Sequence, residues 1–189
     1  KGKADQFAHK YMYDADNRIT KVYTSANERI WERDAKYFYY DHGPLARVEL
    51  GDKKVQATDY AYTIQGWLKG VNAEDLSRNR DIGKDGQKLT TNRMNGKDAY
   101  AYSLSYFDND YNGRFNNNFL PYSESVLPTP NIYNLYNGNI KEMYTNISDH
   151  DQAVLGASHT AYRYDQLNRI KSMNQELLST SLGGVITLT

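Results

Sequence analysis

The sequence predicts a mostly-β protein, an antiparallel ribbon of β-hairpins interrupted by two irregular loop insertions. Three observations carry that expectation. One unit is written at both ends of the chain: Tyr11-x-Tyr13-Asp14-x-x-Asn17-Arg18-Ile19 and Tyr162-x-Tyr164-Asp165-x-x-Asn168-Arg169-Ile170, with Val22 or Met173 three positions on. Helical periodicity is nearly absent, while tyrosine, a strand former, occurs 18 times. The pairs Asn95-Gly96, Asn112-Gly113 and Asn137-Gly138 fit the primed turns that join twisted antiparallel strands. A recurring unit points to architecture rather than to one pocket.

The unit reads as strand, turn, strand. Tyr-x-Tyr puts two rings on one face of an extended chain. Asp and Asn bond their own backbone and tolerate left-handed conformations, so Asp-x-x-Asn is turn chemistry. Arg-Ile then restarts an extended segment, giving a hairpin of about 12 residues. The structural residues are therefore expected to be Tyr11, Tyr13, Asp14, Asn17, Arg18, Ile19, Tyr162, Tyr164, Asp165, Asn168, Arg169 and Ile170. Rows of rings would stack across strands at about 0.2–1 kcal/mol per pair. The Asp and Arg are expected to bond across adjacent hairpins and so set register.

Weaker echoes lie between the two copies. Residues 7–70 read as consecutive short strands with turns at 14–17, 42–44 and 51–53. Arg29-Ile30-Trp31-Glu32-Arg33 alternates like a half-exposed strand. Tyr37-Phe38-Tyr39-Tyr40-Asp41, followed by His42-Gly43-Pro44-Leu45-Ala46-Arg47-Val48, is a degenerate unit with Asp41 in the aspartate's place. Tyr60-Ala61-Tyr62 leads into Gly66-Trp67-Leu68. The first insertion, 72–98, is charged and punctuated by glycine; Ala73–Arg78 could form a short helix capped by Asn72, and the rest reads as a surface loop. Tyr100–Tyr106 alternates with period two, and hairpin character covers 99–107. The second insertion, 108–131, is Asn-rich and carries Pro121, Pro128 and Pro130. Hairpins resume over 135–174, where Tyr136-Asn137-Gly138-Asn139-Ile140-Lys141-Glu142-Met143 keeps the turn and the apolar pair.

Composition narrows the function classes. A mean hydropathy of −0.83 suits sheets wet on at least one side and fits a dense enzyme core poorly. Formal net charge is zero, with Lys and Arg spread among carboxylates, so no basic field exists for nucleic acid. Without cysteine there is no disulfide framework, thiolate metal site or cysteine nucleophile. No window has the apolar length of a membrane-spanning helix. The chain opens at Lys1 without Met and stops within the strand-like Val185–Thr189, so a segment of a longer polypeptide is expected.

Chemical constellations are sparse. Asp108-Asn109-Asp110-Tyr111-Asn112-Gly113 resembles the first half of a calcium loop, which makes Asp108, Asp110 and Asn112 weak cation candidates, with Asn116 nearby. Position twelve is Phe119 rather than a bidentate Glu, and a solvated Asn-rich turn explains the run better. Asp149-His150-Asp151 with His159 lacks metal-ligand spacing. No Gly-x-Ser-x-Gly elbow and no marked carboxylate pair is present, so no catalytic residue and no cofactor is expected. Trp31 and Trp67 could line a sugar-binding surface, but such rings more often pack sheets. Asn146-Ile147-Ser148 is a glycosylation sequon by pattern only.

The two copies of Tyr-Asp-x-x-Asn-Arg-Ile, each behind its upstream tyrosine, resemble the YD repeat of the Rhs family: bacterial polymorphic toxins, toxin-complex shell subunits and teneurins. Asp41–Arg47 and Tyr60–Gly70 resemble stretches of large secreted Rhs-like proteins of Gram-negative bacteria, and about two thirds of the chain is covered. The resemblance implies that residues 1–189 are part of a ribbon spiralling into a hollow β-shell. That shell would enclose or present a C-terminal toxin or other cargo. It further implies a non-catalytic wall segment of a secreted or cell-surface protein. Its partners would be the remainder of its own shell, the enclosed cargo and, beyond them, secretion machinery or glycans. A carbohydrate- or surface-binding β module is the alternative.

Overall fold

A computed structural model describes residues 6–73, 76, 80–112, 133–148, 154–180 and 186–188. The expectation for the second insertion, including Gly113, Asn116 and Phe119, and that for Asp149-His150-Asp151 lie outside the described residues. The chain divides into two compact units, residues 1–59 with 83–98 and residues 60–82 with 99–189. No helix occurs among the described residues, and every strand pairing is antiparallel.

The first unit holds β1 (Ala8–Tyr13), β2 (Ile19–Ser25), β3 (Glu32–Tyr39), β4 (Leu45–Leu50) and the first half of β5 (Gln56–Tyr62), paired in chain order. The second holds the rest of β5, then β6 (Leu68–Val71), β7 (Tyr100–Ser105), β8 (Glu142–Ser148), β9 (Val154–Tyr164), β10 (Ile170–Thr180) and β11 (Ile186–Leu188), again in chain order. Neighbour-to-neighbour antiparallel pairing is what a chain of tight hairpins produces, because each strand is returned beside its predecessor before it can travel elsewhere. The hairpin ribbon expected from the sequence is thus present.

Five strand pairs form the hairpins: β1–β2, β3–β4, β5–β6, β7–β8 and β9–β10. Four of them share one internal register. Tyr11 faces Val22, Tyr37 faces Val48, Tyr60 faces Val71 and Tyr162 faces Met173. Tyr13, Tyr39, Tyr62 and Tyr164 then face Ile19, Leu45, Leu68 and Ile170 across a bulge. The β7–β8 pair keeps the first of these contacts, with Leu104 in the tyrosine's place opposite Met143. Among the described residues the unit is therefore present four times, twice with a changed spelling, and β7–β8 is a partial copy.

Three expectations are corrected. The half-exposed strand over Arg29–Arg33 begins only at Glu32, because the Asn27 side chain accepts the backbone N–H groups of Arg29 and Ile30 and holds that stretch in a turn. Asn72 does not cap a helix: it stands at φ 63°, a left-handed conformation foreign to an N-cap, and Ala73 pairs back to Val71. Most of the expected helix lies outside the described residues. The primed two-residue turns do not form at Asn95-Gly96 or Asn137-Gly138, since neither asparagine has the positive φ they require.

The buried residues explain the low hydropathy. Large aliphatic side chains are scarce in the interior; alanines at 35, 57, 61, 101, 157 and 161 are buried beside charged groups such as Arg47, Asp59, Lys69 and Glu142. Arg47 pairs with Asp59 and Lys69 with Asp110, which offsets the cost of burying charge.

Candidate functional site

The site that recurs is the hairpin turn with the joint it makes to the next hairpin. In the first copy the Asp14 N–H donates to the Arg18 carbonyl at 3.0 Å and the Asn17 N–H to the Asp14 carbonyl at 3.2 Å. Tyr40 with Pro44 and Gly43, Thr63 with Trp67 and Gly66, and Asp165 with Arg169 and Asn168 repeat both bonds. The fourth residue of each turn is left-handed: Asn17 at φ 60°, Gly43 at 115°, Gly66 at 84° and Asn168 at 61°. This is a three-residue hairpin loop ending in a bulge, which is where the register shifts arise. Asn and Gly are the residues that reach this conformation at least cost.

The recurring Asp and Arg close their own turn. One Asp14 oxygen accepts the N–H groups of Asp16 and Arg18, both at 2.9 Å, and the other accepts Arg18 Nε at 2.8 Å. Asp165 repeats this with Leu167 N, Arg169 N and Arg169 Nε at 2.8, 3.0 and 2.7 Å. The expected Asp–Arg bond across adjacent hairpins is corrected accordingly, because two backbone donors already fix the carboxylate toward its own loop. Thr63 performs the same task with its hydroxyl, accepting the Trp67 N–H at 3.2 Å. The backbone N–H of Arg18 and of Arg169, assisted by its guanidinium, holds each carboxyl below the usual range.

What joins one hairpin to the next is a phenol. The Tyr39 hydroxyl donates to the Ile19 carbonyl at 2.8 Å, Tyr106 to Leu68 at 2.7 Å and Tyr164 to Ile140 at 2.9 Å. In each case the tyrosine two residues after Tyr37, Leu104 or Tyr162 grips the backbone of the first aliphatic residue of the preceding unit. Burial pushes all three hydroxyls up, that of Tyr106 to about 12. The residue ahead of that aliphatic packs on the next turn: the Arg18 guanidinium lies 4.6 Å from the Tyr39 ring centroid, and Trp67 lies 5.0 Å from Tyr106 and against Gly138. Asn139 in the same place donates to Asn168 Oδ1 at 3.2 Å.

The joints share a register as well. Lys21 faces Lys36, Arg47 faces Asp59, Gly70 faces Ser103 and Glu142 faces Ala161. Each is the second residue after the aliphatic, opposite the residue just before Tyr37, Tyr60, Leu104 or Tyr162. One rule therefore sets both the hairpin and the step to its neighbour.

Buried ion pairs anchor the insertions. In the first unit Arg47 binds Asp59 and lies 2.5 Å from Asp85, with Glu49 at 3.7 Å. The side-chain amide of Asn95 also donates to Asp85, at 3.1 Å. Burial disfavours the Arg47 charge, but Asp59 and Asp85 outweigh it and hold the guanidinium more firmly protonated. A Cβ on Gly83 would strike Arg47 and Asp59, and one on Gly96 would strike the Val55 carbonyl. The stretch 83–98 is thus packed down on β4 and β5, correcting the surface-loop expectation. The sequence signal was the glycine punctuation, which marks close approach.

The candidate cation residues do not converge. Asp108 is 2.9 Å from Lys141, and Asp110 is 2.6 Å from the buried Lys69 while accepting the Tyr106 N–H at 2.8 Å. Among the described residues no group of three metal-ligating side chains forms. His159 is buried, stacked 4.7 Å from Tyr144 and 3.6 Å from Glu142. The sequon's Asn146 is 2% exposed in β8. Trp31 lies under Lys10 Nζ at 5.6 Å, whereas Trp67, Phe107 and Tyr136 form a run of rings, the last two 4.8 Å apart.

Sequence reading missed the true frame of the middle copies. Tyr40, not Asp41, stands where Asp14 stands, and Tyr106, not Tyr136, is the gripping tyrosine of the β7–β8 pair. The signal was Gly43, Gly66 or Gly138, followed two residues later by an aliphatic and three further on by Val48, Val71 or Met143. No protein-family model matches the chain, and no curated protein matches it.

Proposed function

We propose that the chain is a non-catalytic wall segment of a secreted or cell-surface Rhs/YD-repeat protein, forming curved sheet that encloses or presents a C-terminal toxin or other cargo. The observation that carries this reading is the recurring joint, with a phenol bonded to a carbonyl of the preceding hairpin at three steps of the ribbon. Such a rule extends a sheet indefinitely, and extension is what a wall requires. The buried charges also favour structure over chemistry: Arg47, Lys69 and Lys141 are each matched to a nearby carboxylate. Electron microscopy of the intact parent polypeptide tests the reading. A hollow shell with internal density is expected; an open filament or a solid particle would contradict it.

A second reading is favoured by the rings of Trp67, Phe107 and Tyr136 at one hairpin end, with Tyr136 largely exposed. Aromatic faces stack on sugars, so a carbohydrate-binding role follows from that surface. Binding on a glycan array, lost in Tyr136→Ala, is its expected signature.

A further inference from the structure

Lys69 and Asp110 come from different segments of the second unit, β6 and the turn that follows β7, yet they meet in its interior. Lys69 Nζ lies 2.6 Å from Asp110 Oδ1, and the two side chains are 1% and 4% exposed. Tyr106 positions both partners. Its hydroxyl holds the carbonyl of Leu68, the residue before Lys69, and its backbone N–H donates to Asp110 Oδ2 at 2.8 Å. The Ser105 hydroxyl stands 3.2 Å from the same Nζ. An amine, a carboxyl group, a donor on the second carboxyl oxygen and a hydroxyl beside the amine are thus gathered out of water and held in place.

We infer that Lys69 and Asp110 condense into an intramolecular isopeptide bond tying β6 to the turn after β7. A proton passes from Nζ to Oδ1 along their 2.6 Å contact, leaving an uncharged amine and an uncharged acid. Nζ then attacks Cγ, and the negative charge gathering on Oδ2 is met by the Tyr106 N–H. The Ser105 hydroxyl relays a second proton from the nitrogen to Oδ1, and the Cγ–Oδ1 bond breaks. Two ammonium protons and one carboxylate oxygen leave together as water, and the third proton stays on the amide nitrogen. No oxidant, metal or second reactant enters. A buried ion pair is costly to maintain, and the amide replaces both charges with one neutral group. Lys141 and Asp108, 2.9 Å apart in the same unit, stay an ordinary ion pair, because the Asp108 side chain is 50% exposed and water competes at its carboxyl. The bond closes a covalent loop from Lys69 to Asp110 in a chain that has no cysteine with which to close one. This inference goes beyond the wall reading and stands without it: the cross-link reinforces the sheet and turns over no substrate.

Mass spectrometry tests it. Full-length chain whose Trp67 fluorescence shows a cooperative urea transition is denatured and weighed. The expected mass is one water lighter than the sequence. Trypsin should fail to cut after Lys69 and should release residues 55–78 joined to residues 98–114 as one branched peptide. Lys69→Arg and Asp110→Ala should each restore the full mass, and Lys141→Arg should keep the lighter one. The full mass in the natural chain, or a water loss that Lys69→Arg retains, would overturn the bond. So would a lighter mass that mild base reverses, which is how a cyclised Asp or Asn behaves and an amide between side chains does not.

Discussion

The hydroxyl of Tyr164 donates to the backbone carbonyl of Ile140, 24 residues earlier, at 2.9 Å. A side chain on one hairpin thereby holds the main chain of the hairpin before it. Because the acceptor is backbone, the aliphatic residue can change freely, and Ile19 and Leu68 serve Tyr39 and Tyr106 equally well. The joint tolerates drift on one side and demands a phenol on the other.

The left-handed fourth residue of the turn should separate backbone from side-chain requirements. Asn17 stands at φ 60° and its side chain is exposed. Asn17→Gly should leave stability nearly unchanged, whereas Asn17→Val should cost about 1–2 kcal/mol. Urea unfolding followed by Trp31 fluorescence in a Trp67→Phe background reads the first unit alone, since each unit holds one of the two tryptophans.

Acid should loosen the β1–β2 and β9–β10 turns. The carboxyls of Asp14 and Asp165 titrate below their ordinary value of 3.8 in the folded chain, chiefly through backbone N–H donors. Above that value both states are ionised and the contribution is complete. As pH falls the unfolded chain takes up protons first, so stability declines below about pH 4 and continues to decline through the lowered folded values. The urea midpoint should therefore drop between about pH 5 and pH 3. An Asp14→Asn, Asp165→Asn chain should show a shallower drop; an identical slope would contradict the assignment.

Removing the buried cation of the first unit should be severe. Arg47→Leu leaves Glu49, Asp59 and Asp85 buried without the guanidinium between them. Breaking such a group costs about 3–5 kcal/mol. Arg47→Lys should recover little, because one ammonium cannot place two nitrogens on two carboxylates as the planar fork does. The Trp31 unfolding transition reports both; a change within experimental scatter would show that Arg47 is dispensable.

The outer copies were legible because they solve the turn with side chains. Asp14 and Asp165 clamp the loop, Asn17 and Asn168 take the left-handed position, and all four leave letters in the sequence. Two inner copies solve the same backbone problem with Gly43 and Gly66 and need no aspartate, so Tyr40 and Thr63 stand in its place. A motif follows the side-chain solution while the fold follows the backbone. The joint was illegible for a related reason: a carbonyl acceptor has no residue identity. The packed stretch 83–98 read as a surface loop because Asp85 and Asn95 look solvated until Arg47, 38 residues away from Asp85, is brought against them.

The most direct measurement sets one substitution at three equivalent positions. Tyr39→Phe and Tyr164→Phe each delete a phenol bonded to a preceding hairpin, and Tyr13→Phe deletes one that faces solvent. Urea unfolding should show a loss of about 1 kcal/mol for each of the first two and none for the third. Equal effects at all three positions, or none at Tyr39 and Tyr164, would contradict the joint on which this account of the fold depends.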